Sequence, residues 1–154
     1  MRDDPDCPYC GEIETMEHLY FGCENYSELQ WTDLGRYITS YIQDKFDPTC
    51  PELRITYRSI VFNQEITNIH RKLPSKTARK FVQILIHEVR RDIYFRKVNH
   101  TPNNNAIVLQ IRRKAHLISV IDKLHSYFSY LGATKWAQAI QCADILKQLI
   151  IDDL

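Results

Sequence analysis

Four metal-ligating side chains fall within 17 positions near the start of the chain, in the pattern Cys7-x2-Cys10-x7-His18-x4-Cys23. Three thiols and one imidazole are the soft ligands that a tetrahedral zinc ion takes. Cys7-Pro8-Tyr9-Cys10-Gly11 reads as a tight knuckle, with two thiolates on one turn and Gly11 free to adopt a positive φ. Glu14 to Phe21 reads as a short helix. His18 and Cys23 stand five apart, so both reach one ion if that helix ends near Gly22. Three thiolates and one histidine fill a tetrahedral shell, so the expected zinc is single and structural rather than catalytic. The competing reading leaves some of these cysteines buried or disulfide-bonded. A CxxC followed by a correctly spaced His and Cys favours the metal, where a lone CxxC would not. Cys50 and Cys142 have no partner nearby in sequence and read as small buried hydrophobes.

A chain of 154 residues is one domain, or one domain plus a small metal module. A hydrophobic content of 44% supplies a core, and 4 glycines with 6 prolines leave no long flexible linker. The net charge of +1 conceals an uneven distribution. Residues 1–70 hold 5 Lys and Arg against 13 Asp and Glu, whereas residues 71–123 hold 13 against 3. Such an asymmetry implies either a basic surface for a polyanion or an acidic half that covers the basic one. The acidic start, Met1 to Asp6, lacks the apolar segment of a signal peptide, and no run of 18 apolar residues would cross a membrane. Cysteines arranged as metal ligands fit a reducing compartment, so the expected setting is intracellular, in cytoplasm or nucleus, with no membrane partner.

The remainder reads as helices. Residues 24–43 carry Leu29, Leu34, Ile38, Tyr41 and Ile42 on one side, with Ser27 as the N-cap and Trp31 at the edge, against the metal module. Leu53 to Phe62 alternates enough for a short strand or extended arm, and Glu65 to Leu73 reads as a short helix ending before Pro74. Ser75 caps a long helix with a stripe of Phe81, Leu85, Val89, Ile93 and Val98; it stops near Asn99, ahead of the loop chemistry of His100 to Asn105. A second long helix runs from about Ala106 to Leu131, with Ile107, Ile111, Ala115, Ile118, Ile121, His125 and Phe128 on one face and Gly132 ending it. A third runs from about Thr134 to Ile151, with Trp136, Ile140, Ala143, Leu146 and Ile150 inward. Short connections make these helices neighbours in a bundle.

Basic residues concentrate on two of these helices: Lys76, Arg79, Lys80, Arg90, Arg91, Arg96 and Lys97 on the first, Arg112, Arg113 and Lys114 at the start of the second. Tyr94 and Phe95 sit among the arginines. Guanidinium groups hold phosphates bidentately and aromatic rings stack on unpaired bases, so this patch is the candidate contact for RNA or DNA. The bland reading is a solvated helix face. Catalytic patterns fail on inspection. His87-Glu88-Val89-Arg90-Arg91 begins like HExxH, but Arg91 stands where the second zinc-binding imidazole is required. There is no glycine-rich phosphate loop and no defensible Ser/His/Asp set, so neither an enzyme nor a small-molecule substrate is expected.

Cys7 to Cys23, read as CPYCGEIETMEHLYFGC and followed by Trp31, resembles the zinc-binding module found after the reverse transcriptase domain of non-LTR (LINE-type) retrotransposons. That module reads CPxCG, then ExxEHLxxxC, then a tryptophan-containing helix. The match is sharp over about residues 5–34 and looser at Arg90 to Arg96. It implies that Cys7, Cys10, His18 and Cys23 bind one structural zinc. It also implies that the chain is a non-catalytic C-terminal piece engaging RNA or DNA during retrotransposition, with an upstream reverse transcriptase domain of the same polyprotein as partner. The polymerase's paired aspartates and the nuclease signature of some relatives are both missing from this sequence. Zinc would alternatively staple a protein-interaction or purely structural module with no nucleic acid. The expected fold is mainly α: a CCHC zinc module at residues 1–34, packed on a helical domain at 35–154 with about four or five helices and the basic ones central.

Overall fold

The computed structural model describes residues 6–56, 73, 75–98 and 105–154. Among the described residues the helices are a single π turn at His18–Gly22 and four α-helices: α1 (Ser27–Lys45), α2 (Lys76–Val98), α3 (Ala106–Gly132) and α4 (Ala137–Asp152). Among the described residues there is no strand, only an isolated antiparallel bridge between Asp6 and Ile13. The fold is mainly α, as the periodicity predicts.

Local chemistry sets the boundaries. Ser75 caps α2 as expected, its hydroxyl accepting from the Ala78 amide at 3.3 Å. Asn105 does the same for α3, accepting from the Val108 amide at 3.1 Å. Gly132 ends α3 at φ +148°, where a side chain would be strained. α1 departs from expectation. Ser27 is its first helical residue rather than its cap, and Tyr26 holds the cap position without a side-chain hydrogen bond. The Ser27 hydroxyl turns inward, accepting from the Cys23 amide and donating to the His18 carbonyl, both at 3.1 Å.

The core of the bundle is aromatic and aliphatic. Phe128 packs on Phe81 at 5.8 Å and on Trp136 at 4.9 Å between ring centroids. Leu85, Val89, Ile93, Leu117, Ile121, Leu146 and Ile150 close around them, each almost wholly buried. Burying each such side chain contributes about 1.5–3 kcal/mol. The four-residue link after α3 lets α4 pack along α3, and α4 also touches α2 and α1. Cys50 and Cys142 are buried free thiols, as expected.

Two expected faces are borne out in part: on α1 Leu34, Ile38, Tyr41 and Ile42 are buried, and on α3 Ile121 and Phe128 are. Leu29 is 37% exposed, so the inner side of α1 is Trp31, Leu34, Tyr37, Ile38, Tyr41 and Ile42. On α3, Ile107 and Ile111 are 69% and 56% exposed and Ala115 also faces outward. The buried stripe is Leu109, Arg113, Leu117, Val120, Ile121, Leu124 and Phe128. The sequence carries two overlapping apolar stripes there. The choice between them is made by polar contacts to the N-terminal region: Gln30 donates to the Arg113 carbonyl at 3.2 Å, and Arg113 donates to the Asn25 carbonyl at 2.9 Å. Those bonds fix the rotation of α3.

The segment after α1 doubles back along it. Leu53 donates its amide to Thr39 Oγ1 at 2.9 Å, and Gln43 donates to the Cys50 carbonyl at 2.7 Å. A Cβ on Gly35 would lie 2.6 Å from the Leu53 carbonyl oxygen, so a glycine is what permits this approach. Residues 51–56 have no regular structure. The rest of the strand expected at Leu53 to Phe62, the helix expected at Glu65 to Leu73 apart from Leu73 itself, and the loop at 100–104 lie outside the described residues. The expected boundary between residues 34 and 35 falls inside α1, whose side chains pack against both the N-terminal region and the bundle.

Candidate functional site

The knuckle forms as its sequence predicts. The Gly11 amide donates to the Cys7 carbonyl at 2.9 Å, the Cys7 amide donates to the Glu12 carbonyl at 2.7 Å, and Gly11 takes φ +79°. This reversal sets Cys7 and Cys10 on one side. Residues from Met16 onward then turn helically, and the turn widens to a π turn at His18–Gly22. The widening has a geometric reason. At about 100° per residue, an α-helix would point residues five apart some 140° away from each other. The wider i→i+5 turn, followed by extended backbone at Cys23 (φ −72°, ψ 111°), swings Cys23 back beside His18.

The four predicted ligand atoms converge. Cys7 Sγ and Cys23 Sγ are 3.7 Å apart, Cys10 Sγ and His18 Nε2 are 3.2 Å apart, and all four lie within 4.8 Å of one another. Thiolate and imidazole bonds of about 2.0–2.3 Å at tetrahedral angles imply edges of about 3.5–3.8 Å. The set could therefore hold a metal ion with little movement. No disulfide joins these cysteines: Cys7 Sγ and Cys23 Sγ stand at 3.7 Å, well beyond a bonded pair. The Cys7 thiol is pulled below its ordinary value, chiefly by the hydrogen bond from Cys23, with the Tyr9 amide and the Lys97 charge adding to it. The same pairing, together with burial, pushes Cys23 up. Burial likewise raises Cys10.

The surroundings orient the imidazole. Glu14 Oε1 lies 2.5 Å from His18 Nδ1, so a carboxylate accepting from Nδ1 would leave Nε2, the atom that faces Cys10, available to a metal. The His18 amide donates to Thr15 Oγ1 at 3.1 Å. Tyr9 and Tyr26 stack at 4.5 Å with ring planes 7° apart, and the Tyr26 hydroxyl bonds His116 Nδ1 on α3. Trp31 is 1% exposed and donates its indole N–H to the Tyr20 carbonyl at 2.5 Å, so the tryptophan does pack on the π turn of the N-terminal region. No family model, curated protein or solved structure matches this chain.

The predicted basic residues divide into two groups. Lys76, Lys80, Arg91 and Arg96 are exposed, while Arg79, Arg90, Tyr94 and Arg112 are half-buried. Lys97, Arg113 and Lys114 are buried, which removes them from the expected surface. Lys97 pairs with Glu14, Arg113 holds the Asn25 carbonyl, and Lys114 bonds both the carbonyl and the carboxylate of Asp153. Arg90 lies over the Tyr20 ring at 5.1 Å, and Tyr94 stacks with Tyr20 at 6.4 Å, so part of the basic helix props the π turn. What remains outward is a groove between α2 and α3 lined by Glu88, Arg91, Asp92, Phe95, Arg96 and Lys123, among others. Phe95 is 49% exposed, with the Arg91 guanidinium 5.6 Å from its ring.

Sequence reasoning missed Glu14, Lys97 and Ser27 as supports of the site. Glu14 and His18 are four apart, the spacing of neighbours on a helical face, and that signal was readable. Lys97 carried none, because 83 residues separate it from Glu14. Among the described residues, His87 is exposed on α2, His116 bonds the Tyr26 hydroxyl and His125 pairs with Asp144 at 3.1 Å, so none of these three belongs to the cluster.

Proposed function

We propose that this chain is a zinc-stabilised, non-catalytic nucleic-acid-binding module. Zinc is the ion that three thiolates and an imidazole in a tetrahedral set select among common intracellular metals. Four protein ligands leave no open coordination position, so its role is to hold residues 6–23 together. Nucleic-acid contact rests on one observation above all. At the end of α2, Arg91, Phe95 and Arg96 stand exposed within two turns, with Phe95 49% exposed beside the Arg91 guanidinium and Arg96 held at 3.3 Å by Asp92. That arrangement offers guanidinium groups to phosphates and a flat face to a base. The likeness of Cys7 to Cys23 to the LINE-type module supports a role for the chain beside a reverse transcriptase domain, on template RNA or target DNA during retrotransposition.

Fluorescence anisotropy with labelled single-stranded RNA and DNA, titrated at several salt concentrations, tests the reading. Affinity should fall linearly with log salt. Arg91→Glu with Arg96→Glu should weaken binding by at least about tenfold and flatten the salt slope by roughly 1–2 units, given about 0.7 per phosphate contact on a single strand. Equal binding by the double variant refutes the surface assignment.

A second reading is favoured by the inward turn of Lys97, Arg113 and Lys114, which answer acids and carbonyls of the chain's own N- and C-terminal parts. Here the metal staples a structural or protein-interaction module, and the charge asymmetry is consumed internally. Absence of any salt-dependent RNA or DNA binding by the wild-type chain would select it.

A further inference from the structure

The surroundings of the metal ligands reach into the bundle through one side chain. Lys97, on the last turn of α2, is 2% exposed. Its Nζ lies 3.4 and 3.3 Å from the two carboxylate oxygens of Glu14, and Glu14 Oε1 in turn holds His18 Nδ1 at 2.5 Å. The same ammonium sits 5.7 Å from the centroid of the Tyr9 ring, between Cys7 and Cys10 in the knuckle. A line of contacts thus runs from the ligand shell to α2.

Charge explains why a buried lysine belongs there. A divalent ion with three thiolates and a neutral imidazole carries −1, and Glu14 adds another negative charge beside it. Removing these charges from water is unfavourable unless an opposite charge accompanies them. The Glu12 carboxylate, 3.7 Å from His18 Nε2, is exposed and screened by solvent. An ammonium buried without counter-charges would be equally unfavourable. Each group accounts for the burial of the other.

We infer that Lys97 is a positioning residue of the metal centre. It balances the thiolate shell and clamps Glu14 against His18, so metal affinity depends on α2 and is not a property of residues 6–23 alone. The inference rests on the metal reading proposed above. Linkage makes the coupling reciprocal: metal binding stabilises the last turn of α2 by as much as that turn strengthens metal binding. Because Arg91, Phe95 and Arg96 stand on that same end of α2, the metal also steadies the surface proposed to meet nucleic acid.

The test uses the full chain. Zinc stoichiometry of the wild type is read first; a chain that binds no zinc overturns the metal reading and this inference with it. Given one zinc, affinity is measured by competition with a chromophoric chelator. Lys97→Met should lose about 10–100-fold in affinity, the range for groups that support metal ligands. Lys97→Arg, which keeps the charge, should recover most of that loss. The cobalt-substituted Lys97→Met protein should keep a tetrahedral visible spectrum, showing that the ligands themselves are unchanged. Wild-type affinity in Lys97→Met overturns the inference while leaving the metal reading intact. Should that variant not fold, amide exchange on the wild type decides. Zinc should raise protection at Ile93 to Lys97 as well as in residues 6–25, and protection confined to the latter overturns the inference.

Discussion

Residues 6–23 and the bundle of α2, α3 and α4 reach order by different means. The N-terminal stretch has one isolated bridge and one π turn, and it leaves Ile13 and Met16 exposed at 74% and 64%. What converges inside it is four ligand atoms, three of them thiols. The bundle instead buries Phe81, Leu85, Ile93, Leu117, Phe128, Leu146 and Ile150 to 1% or less. Burial of apolar side chains dominates the second region, whereas the first buries a smaller set, Cys7, Tyr9, Leu19 and Cys23, and a bound ion would add to what orders its loops. The two regions should therefore respond to different perturbations.

The largest expected effect separates them outright. Cys10→Ser removes one ligand, and the apparent binding energy of structural zinc sites is about 10–16 kcal/mol at neutral pH. The variant should lose its metal and the order of roughly the first 25 residues, while α2 to α4 keep their helical circular dichroism. Metal analysis with an amide correlation spectrum reads both halves at once. A full complement of metal in the variant would end the ligand assignment. The converse experiment strikes the bundle. Phe128→Ala should lower stability by about 3–5 kcal/mol in urea unfolding while one metal per chain remains bound in native buffer.

A smaller effect tests how tightly the backbone packs in each region. Gly35→Ala would set a methyl 2.6 Å from the Leu53 carbonyl, a backbone atom that cannot swing away. It should cost about 1–3 kcal/mol. Gly22→Ala in the π turn meets only the Glu17 carbonyl at 3.7 Å, ordinary contact distance, and Gly22 does not adopt a positive φ. It should be neutral, or stabilising by up to about 1 kcal/mol through the loss of glycine's unfolded-state freedom. A melting comparison of the two variants reads the contrast directly, and equal losses would show that the π turn is as tightly packed as α1.

The same contrast explains what could be read from the chain. The cluster was legible because metal-binding patterns use few residue types at short separations, and Cys7, Cys10, His18 and Cys23 do converge into a group that could hold a metal ion. Helix extents were legible from caps such as Ser75 and from Gly132. The face of α3 was not. Ile107, Ile111 and Ala115 make as good a stripe as Leu109, Arg113 and Leu117, and the outcome depended on Gln30 and Asn25, more than 80 residues away. The burial of Lys97 and Lys114 was invisible for the same reason: a lysine's environment is set by distant acids, here Glu14 and Asp153. Short-range chemistry is written in spacing, and long-range pairing is not.

The smallest expected effect lies at the far end of the chain, where α1, α3 and α4 meet at Asp153. Its carboxylate accepts from the Tyr37 hydroxyl at 2.7 Å and from Arg36 at 3.0 Å, with the Lys114 ammonium at 3.3 Å. The Tyr37 hydrogen bond, ahead of Lys114 and Arg36, holds this carboxyl below its ordinary range. A folded-state value below the unfolded one means stabilisation that is present at neutral pH and lost as pH falls through the lowered value. The side chain is 38% exposed, so solvent screens the pairs and the contribution is on the order of 0.5–1 kcal/mol. Asp153→Asn should lower Tm at pH 7 by a few degrees at most. Well below the carboxylate range, its Tm should converge on that of the wild type, since both side chains are then neutral. Acid also strips the thiolate site, but equally in both proteins, so the difference between them isolates Asp153. A Tm gap that is the same at both pH values would show that the carboxylate acts by shape alone, and that the C-terminus of α4 is held to α1 and α3 without charge.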